Sequence, residues 1–156
     1  MPSPSRDVLV SVQPKFVSKI VDGAKTVELR RRFPETSATG AFALIYSSSP
    51  VRAAVGYARI REVLRLPLGR LWREYGVAAC VSRKEFEDYF RGQKYGFAIL
   101  LEKIKLLSPQ IAAADLEEEF GIVPPQSYRY LHKSCISLLR NGRVQAANRH
   151  KRRDRA

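Results

Sequence analysis

Valines at positions 8, 10 and 12 alternate with Leu9 and Ser11, a β-rich run that predicts a first strand over Val8–Val12. Pro14 stops that run and opens a helix, because proline is tolerated at the first helical position. Phe16, Val17, Ile20 and Val21 fall on one face of this helix, and Gly23 fits its end. Lys25 to Arg32 reads as extended, with Thr26, Val27 and Leu29 suited to a strand, and residues 33–40 form a loop by composition. Ala41 to Tyr46 reads as a buried strand that Ser47-Ser48-Ser49-Pro50 ends. Ala53 to Leu66 predicts a longer strand with a bulge or bend at Gly56.

Two helical pieces follow, around Leu68–Tyr75 and over Ser82–Arg91. Ser82 and Glu85 have the spacing of a capping box, and Phe86, Tyr89 and Phe90 supply the second piece with an apolar face. Tyr95 to Leu107 is the longest strand-like run, and Asp115–Phe120 is one helical turn or two. Pro124-Pro125 is a hard break, after which the spacing predicts a helix over Gln126–Leu139. The sum is an α+β domain around a mostly antiparallel, curved sheet; pattern alone does not separate an open sheet from a barrel.

Length and charge narrow the function. The chain has 156 residues, one domain by the prior of roughly 100–200 residues per domain. Lys and Arg total 28 against 15 Asp and Glu, a formal net charge of +13. Such an excess favours polyanion partners: RNA, DNA or an acidic membrane surface. Residues 140–156 carry seven Arg or Lys against one Asp, a local +6, which leaves +7 on residues 1–139. The domain is therefore expected over 1–139, with 140–156 a disordered basic tail that either adds non-specific phosphate contacts or is a solubilising terminus. No apolar run approaches the ~20 residues of a membrane span, and the N-terminal Met-Pro-Ser-Pro-Ser-Arg-Asp lacks a secretory h-region. A cytoplasmic protein is expected. Cys80 and Cys135 are too few for a disulfide scaffold.

The segment Gly23-Ala24-Lys25-Thr26-Val27-Glu28-Leu29-Arg30, continued by Arg31 and Arg32, is the most informative. Strand alternation puts Thr26, Glu28, Arg30 and Arg32 on one face and Val27, Leu29 and Arg31 on the other. Lys25 sits at the strand entrance, where parity is least fixed. Arginine offers a planar fork to phosphate or a base edge, lysine a mobile point charge, and glutamate an acceptor for an amino or hydroxyl group. The bland alternative is an exposed strand face with a Glu–Arg ion pair of little consequence.

Gly23, Lys25, Glu28 and Arg30 match the G-x-K-x-x-E-x-R signature of the ASCH superfamily, a branch of the PUA-like folds. Tyr46-Ser47-Ser48-Ser49-Pro50-Val51, the Ser82–Phe90 segment, Tyr95-Gly96-Phe97-Ala98-Ile99 and Pro124–Leu131 also resemble an ASCH group described as predicted transcriptional regulators. The resemblance spans about residues 8–131. It implies a PUA-like small β-barrel with flanking helices and a cleft, lined by the signature residues, that binds RNA or a nucleotide-like ligand. Some relatives are enzymes: one group hydrolyses N4-acetylcytidine, and at least one member looks like a ribonuclease. The acetylcytidine group has threonine at the position of Glu28. Here Thr26 is displaced by two residues, about 6–7 Å along a strand.

Lys25, Glu28, Arg30, Arg32, Ser47, Ser48, Arg129 and Tyr130 are thus the expected nucleic-acid-binding residues, with Lys25 and Glu28 catalytic if the protein is an enzyme. Ser47 and Ser48 offer hydroxyls at a strand end, or simply cap it. Arg129 and Tyr130 have the aromatic–cationic interleaving that suits stacking on unpaired bases. Trp72 and Tyr75 read as core packing, and Glu85 as a helix cap. His132 and Cys135 share a helical face without any zinc spacing, so no metal and no cofactor are expected. RNA or a nucleotide-like ligand is the expected partner, DNA the alternative, and no membrane is expected. The rival functions are a small hydrolase using Lys25 and Glu28 on a modified nucleoside or on RNA, and a DNA-contacting regulator. No helix-turn-helix pattern supports the latter.

Overall fold

The computed structural model describes residues 6–35 and 38–132. Six strands, β1 (Val8–Val12), β2 (Val27–Arg30), β3 (Phe42–Ser47), β4 (Ala53–Pro67), β5 (Tyr95–Ala112) and β6 (Tyr128–Tyr130), form one sheet in the order β2-β5-β4-β3-β1-β6. Four helices, α1 (Pro14–Val21), α2 (Leu68–Tyr75), α3 (Arg83–Tyr89) and α4 (Ala113–Phe120), flank it. Every pairing is antiparallel except β1 with β3, which α1 and β2 separate along the chain.

The long strands β4 and β5 curl this sheet into a half-barrel. Their register shifts at Ala54/Gly56, Tyr57/Arg59 and Ile60/Glu62, and each such irregularity adds local twist. Gly56 is needed at the first. A Cβ there would lie 2.5 Å from the Lys105 carbonyl oxygen, so only glycine admits the neighbouring backbone. Inside the curl, Val8, Val10, Ile45, Ile60 and Ile99 make one apolar cluster. Leu9, Leu44, Tyr57 and Ile111 pack with Leu116 of α4 in a second. Val27, Leu29, Ala98 and Leu100 pack under Leu71 of α2 and Phe86 of α3 in a third. Among the described residues no helix is long and apolar enough to cross a membrane.

Most expected elements are present, with three differences. β5 runs to Ala112, beyond the expected end at Leu107, because β4 continues to pair with it through Ala53. β2 ends at Arg30, which leaves Arg31 and Arg32 outside the strand. The helix expected from Gln126 is corrected: Tyr128–Tyr130 is a strand paired antiparallel with Val8–Val10. Tyr128 and Tyr130 pack on the inner cluster while the intervening Arg129 is exposed. That period-two arrangement satisfies the otherwise open edge of β1. Leu131 and His132 are not helical either; residues 133–139 of that expected helix, Cys135 among them, and the basic tail lie outside the described residues.

Candidate functional site

The end of α1 delivers the signature to its place. Gly23 takes φ +87°, a left-handed conformation costly for other residues, and the Lys25 amide bonds back to the Lys19 carbonyl at 2.9 Å. The chain then enters β2 with the parity expected from sequence. Val27 and Leu29 face the helices, while Glu28 and Arg30 face a groove of about 680 Å³ between β2, the start of α1 and α3.

Lys25, Glu28 and Arg30 line this groove and form a charge cluster in which both cations are buried and Glu28 is half-buried. Lys25 is only 2 % exposed. Its Nζ donates to the Ala79 carbonyl at 2.6 Å and lies 3.5 Å from Glu28 Oε2. The Phe16 ring centroid is 5.0 Å from the same ammonium. Burial holds the Lys25 pKa below the ordinary lysine value; Glu28 opposes this and Arg30 reinforces it. Arg30 Nε stands 3.3 Å from Glu28 Oε1, and an Arg30 terminal nitrogen donates to the Ser11 carbonyl. The Nε–Oε1 approach is an ion pair without hydrogen-bond alignment. Glu28 Oε2 and Arg30 Nε are both buried without a hydrogen-bond partner, a costly condition.

The wall opposite β2 is α3. Ser82 and Glu85 make the full capping box, and Glu85 Oε2 also accepts from Lys15 Nζ of α1 across 2.5 Å. Lys15 and the Ser82 amide together pull the Glu85 pKa down to about 2. Asp88 is paired with Arg91 at 2.6 Å. Tyr89 stands at the rim, 36 % exposed, with the Arg31 guanidinium 4.7 Å above its ring. The wall acids are thus neutralised by their own partners, and the cluster on the floor keeps two cations against one carboxylate.

The other expected residues are not all brought together. Ser48 lines the groove, and its amide bonds to the Val12 carbonyl. Ser47 is buried beside Val12 in the β1–β3 pairing and does not reach the groove. Arg32 is exposed past the end of β2, away from the lining. Arg129 donates to the Val123 carbonyl, and Tyr130 lies under Arg6 at 4.2 Å; neither lines the groove. Thr26 is exposed and also lies outside the lining. Conversely, Gln13, Tyr89 and Gln126 line it without having been singled out from sequence. They come from three distant segments, so no local spacing marks them. No group of His, Cys, Asp and Glu that could hold a metal ion is found among the described residues.

The profile of the ASCH domain matches residues 10–118. The chain belongs to the ASCH family. An ASCH domain-containing ribonuclease of Zymomonas mobilis is 34% identical over 128 residues, which is 82% of this chain and 86% of that one. The crystal structure of ASCH from Zymomonas mobilis matches with a TM-score of 0.80 at 33% identity, covering 87% of this chain and 94% of that one. A single-substitution variant of the Zymomonas protein also matches with a TM-score of 0.80, at 32% identity, covering 89% of this chain and 98% of that one. The curled sheet and its flanking helices are thus the PUA-like ASCH architecture.

Proposed function

We propose that this ASCH domain binds single-stranded RNA or a nucleotide-like ligand in the groove floored by Lys25, Glu28 and Arg30. The observation that carries the reading is the unbalanced cluster: two buried cations, one carboxylate, and two buried polar atoms with no hydrogen bond. A phosphate supplies the missing negative charge beside Lys25 and Arg30. A ribose hydroxyl or a base amino group donates to Glu28 Oε2. The groove volume of about 680 Å³ falls within the ~300–1,000 Å³ range of ligand sites. The net charge of +13 provides long-range attraction to a polyanion.

The test is anisotropy of a labelled single-stranded RNA against the wild type, Lys25→Ala and Arg30→Ala at several salt concentrations. Each substitution is expected to weaken binding about tenfold, and the logarithmic salt slope should fall by about 0.7 for each phosphate no longer neutralised. Unchanged affinity in both variants would sink the assignment.

The 34% identity to a protein described as a ribonuclease favours a catalytic version of this reading. Glu28 Oε2 takes the proton of a ribose 2′-hydroxyl, whose oxygen attacks the adjacent phosphorus. The bond from phosphorus to the 5′-oxygen breaks, and that oxygen takes a proton from Lys25. The products are a 2′,3′-cyclic phosphate and a 5′-hydroxyl end. Burial lowers the Lys25 pKa, which makes its ammonium a readier proton donor. End-labelled RNA should be cut by the wild type without added metal and left intact by Glu28→Ala. RNA left intact by the wild type retires the catalytic version while leaving the binding one.

A further inference from the structure

On the far side of α3 from the groove lies a second concavity of about 450 Å³, which shares Phe86 and Phe90 with the groove as a common wall. Leu68 and Trp72 of α2 give it an apolar floor, and Arg73 and Arg83 stand at its rim. Trp72 is half-buried. Its ring packs on Phe86 with centroids 5.3 Å apart, and its benzo edge lies against Gly76, where a Cβ would come within 2.7 Å of Cε3. The indole is thus held by these contacts and lines the cavity. Arg83 reaches over the ring, its guanidinium 5.4 Å from the centroid, within cation–π range. Its Nε is tied to Glu87 at 2.9 Å. Arg73 has no acidic partner among the described residues.

We propose that this concavity is a second nucleotide subsite, where one base of a single-stranded RNA stacks on Trp72 and a flanking phosphate engages Arg73 and Arg83. The proposal rests on the RNA reading of the groove and extends it across α3. A fixed, half-buried indole beside planar cations is the arrangement that binds unpaired bases without sequence preference. Arg73 and Arg83 against Glu87 leave the rim net positive, complementary to RNA, and the shared Phe86–Phe90 wall makes the two concavities neighbours. A helix with its side chains is about 10–12 Å across, a width that a few nucleotides cross. One strand can therefore occupy both sites.

Trp72 is the single tryptophan of the chain, so its fluorescence reports this site alone. The probes are a mononucleotide and a 2′-O-methyl RNA hexamer, which cannot be cleaved through its own 2′-oxygen. The hexamer should quench Trp72, whereas the mononucleotide, followed by calorimetry, should bind in the groove without quenching. Trp72→Leu should weaken hexamer binding about fivefold to a hundredfold, the range for one lost stacked base, and leave the mononucleotide unaffected. Arg73→Glu, at an exposed position, should weaken the hexamer in the same selective way and guards against a folding defect in Trp72→Leu. Absence of quenching, together with unchanged hexamer affinity in Arg73→Glu, overturns the subsite. In that event, a hexamer affinity still dependent on Arg30 leaves the groove reading standing. Quenching that persists while Arg30→Ala changes nothing overturns the groove reading instead.

Discussion

Removing the carboxylate from the Lys25–Glu28–Arg30 cluster should cost more stability than removing the lysine. The three groups have side-chain exposures of 2, 13 and 10 %. Glu28→Gln leaves two buried cations facing each other across a neutral amide. Loss of the partner of a buried charge costs about 3–5 kcal/mol. For a chain of this size, each kcal/mol shifts the melting temperature by about 2–4 °C, so a fall of about 6–20 °C is expected. Lys25→Met leaves Glu28 and Arg30 as a balanced pair. Its cost is the bond from the ammonium to the Ala79 carbonyl, about 1.5–3 kcal/mol. The double variant should be more stable than Glu28→Gln alone, because it relieves the cation that substitution stranded.

The pH dependence carries a second signature of the same balance. Burial holds the Lys25 pKa below its ordinary 10.5, so the unfolded chain binds more protons between the folded and unfolded values. Stability therefore rises as pH climbs through that window. Glu28→Gln removes the neighbour that raises the Lys25 pKa, and the rise should begin closer to neutral pH. Urea unfolding of the three variants across a pH series measures both effects. Equal costs for Lys25→Met and Glu28→Gln would refute the charge argument, whatever the groove binds.

Lys15→Ala should raise the Glu85 pKa from about 2, measured by carboxylate NMR titration. The depressed value stabilises the fold above the unfolded carboxylate pKa, and this is lost as pH falls toward 2; the pair is exposed, so the effect at pH 7 should stay below about 1 kcal/mol. Gly96→Ala would put a Cβ 2.5 Å from Phe90 Cε1 and 2.6 Å from Leu71 Cδ2, and overpacking of this kind should cost about 1–3 kcal/mol in a thermal melt. Deleting residues 140–156, with their net +6, should flatten the salt dependence of RNA binding and leave any ligand preference intact; an unchanged slope would show that the tail makes no phosphate contact.

Much of the fold was legible because its signals are local. The capping box at Ser82 and Glu85, proline at the head of α1 and the alternation along β2 act within a few residues, and each was recovered. The strand at Tyr128–Tyr130 was not, since its conformation is decided by the distant edge of β1. For the site, parity placed Glu28 and Arg30 together. The burial of Lys25 depends on a carbonyl 54 residues away, which no spacing rule reveals. The same limit separated Ser48, which lines the groove, from Ser47, whose alternate direction buries it.

The two long ribbons β4 and β5 run through all three apolar clusters: Ile60 and Ile99 in one, Tyr57 and Leu107 in another, Leu66 and Leu100 in the third. Such a molecule has no seam along which to come apart. Native-state hydrogen exchange of amides along both ribbons should converge on a single opening free energy, with local fraying at the edge strands β2 and β6. Loosening either face of the sheet would then be felt at the other as a change in the whole.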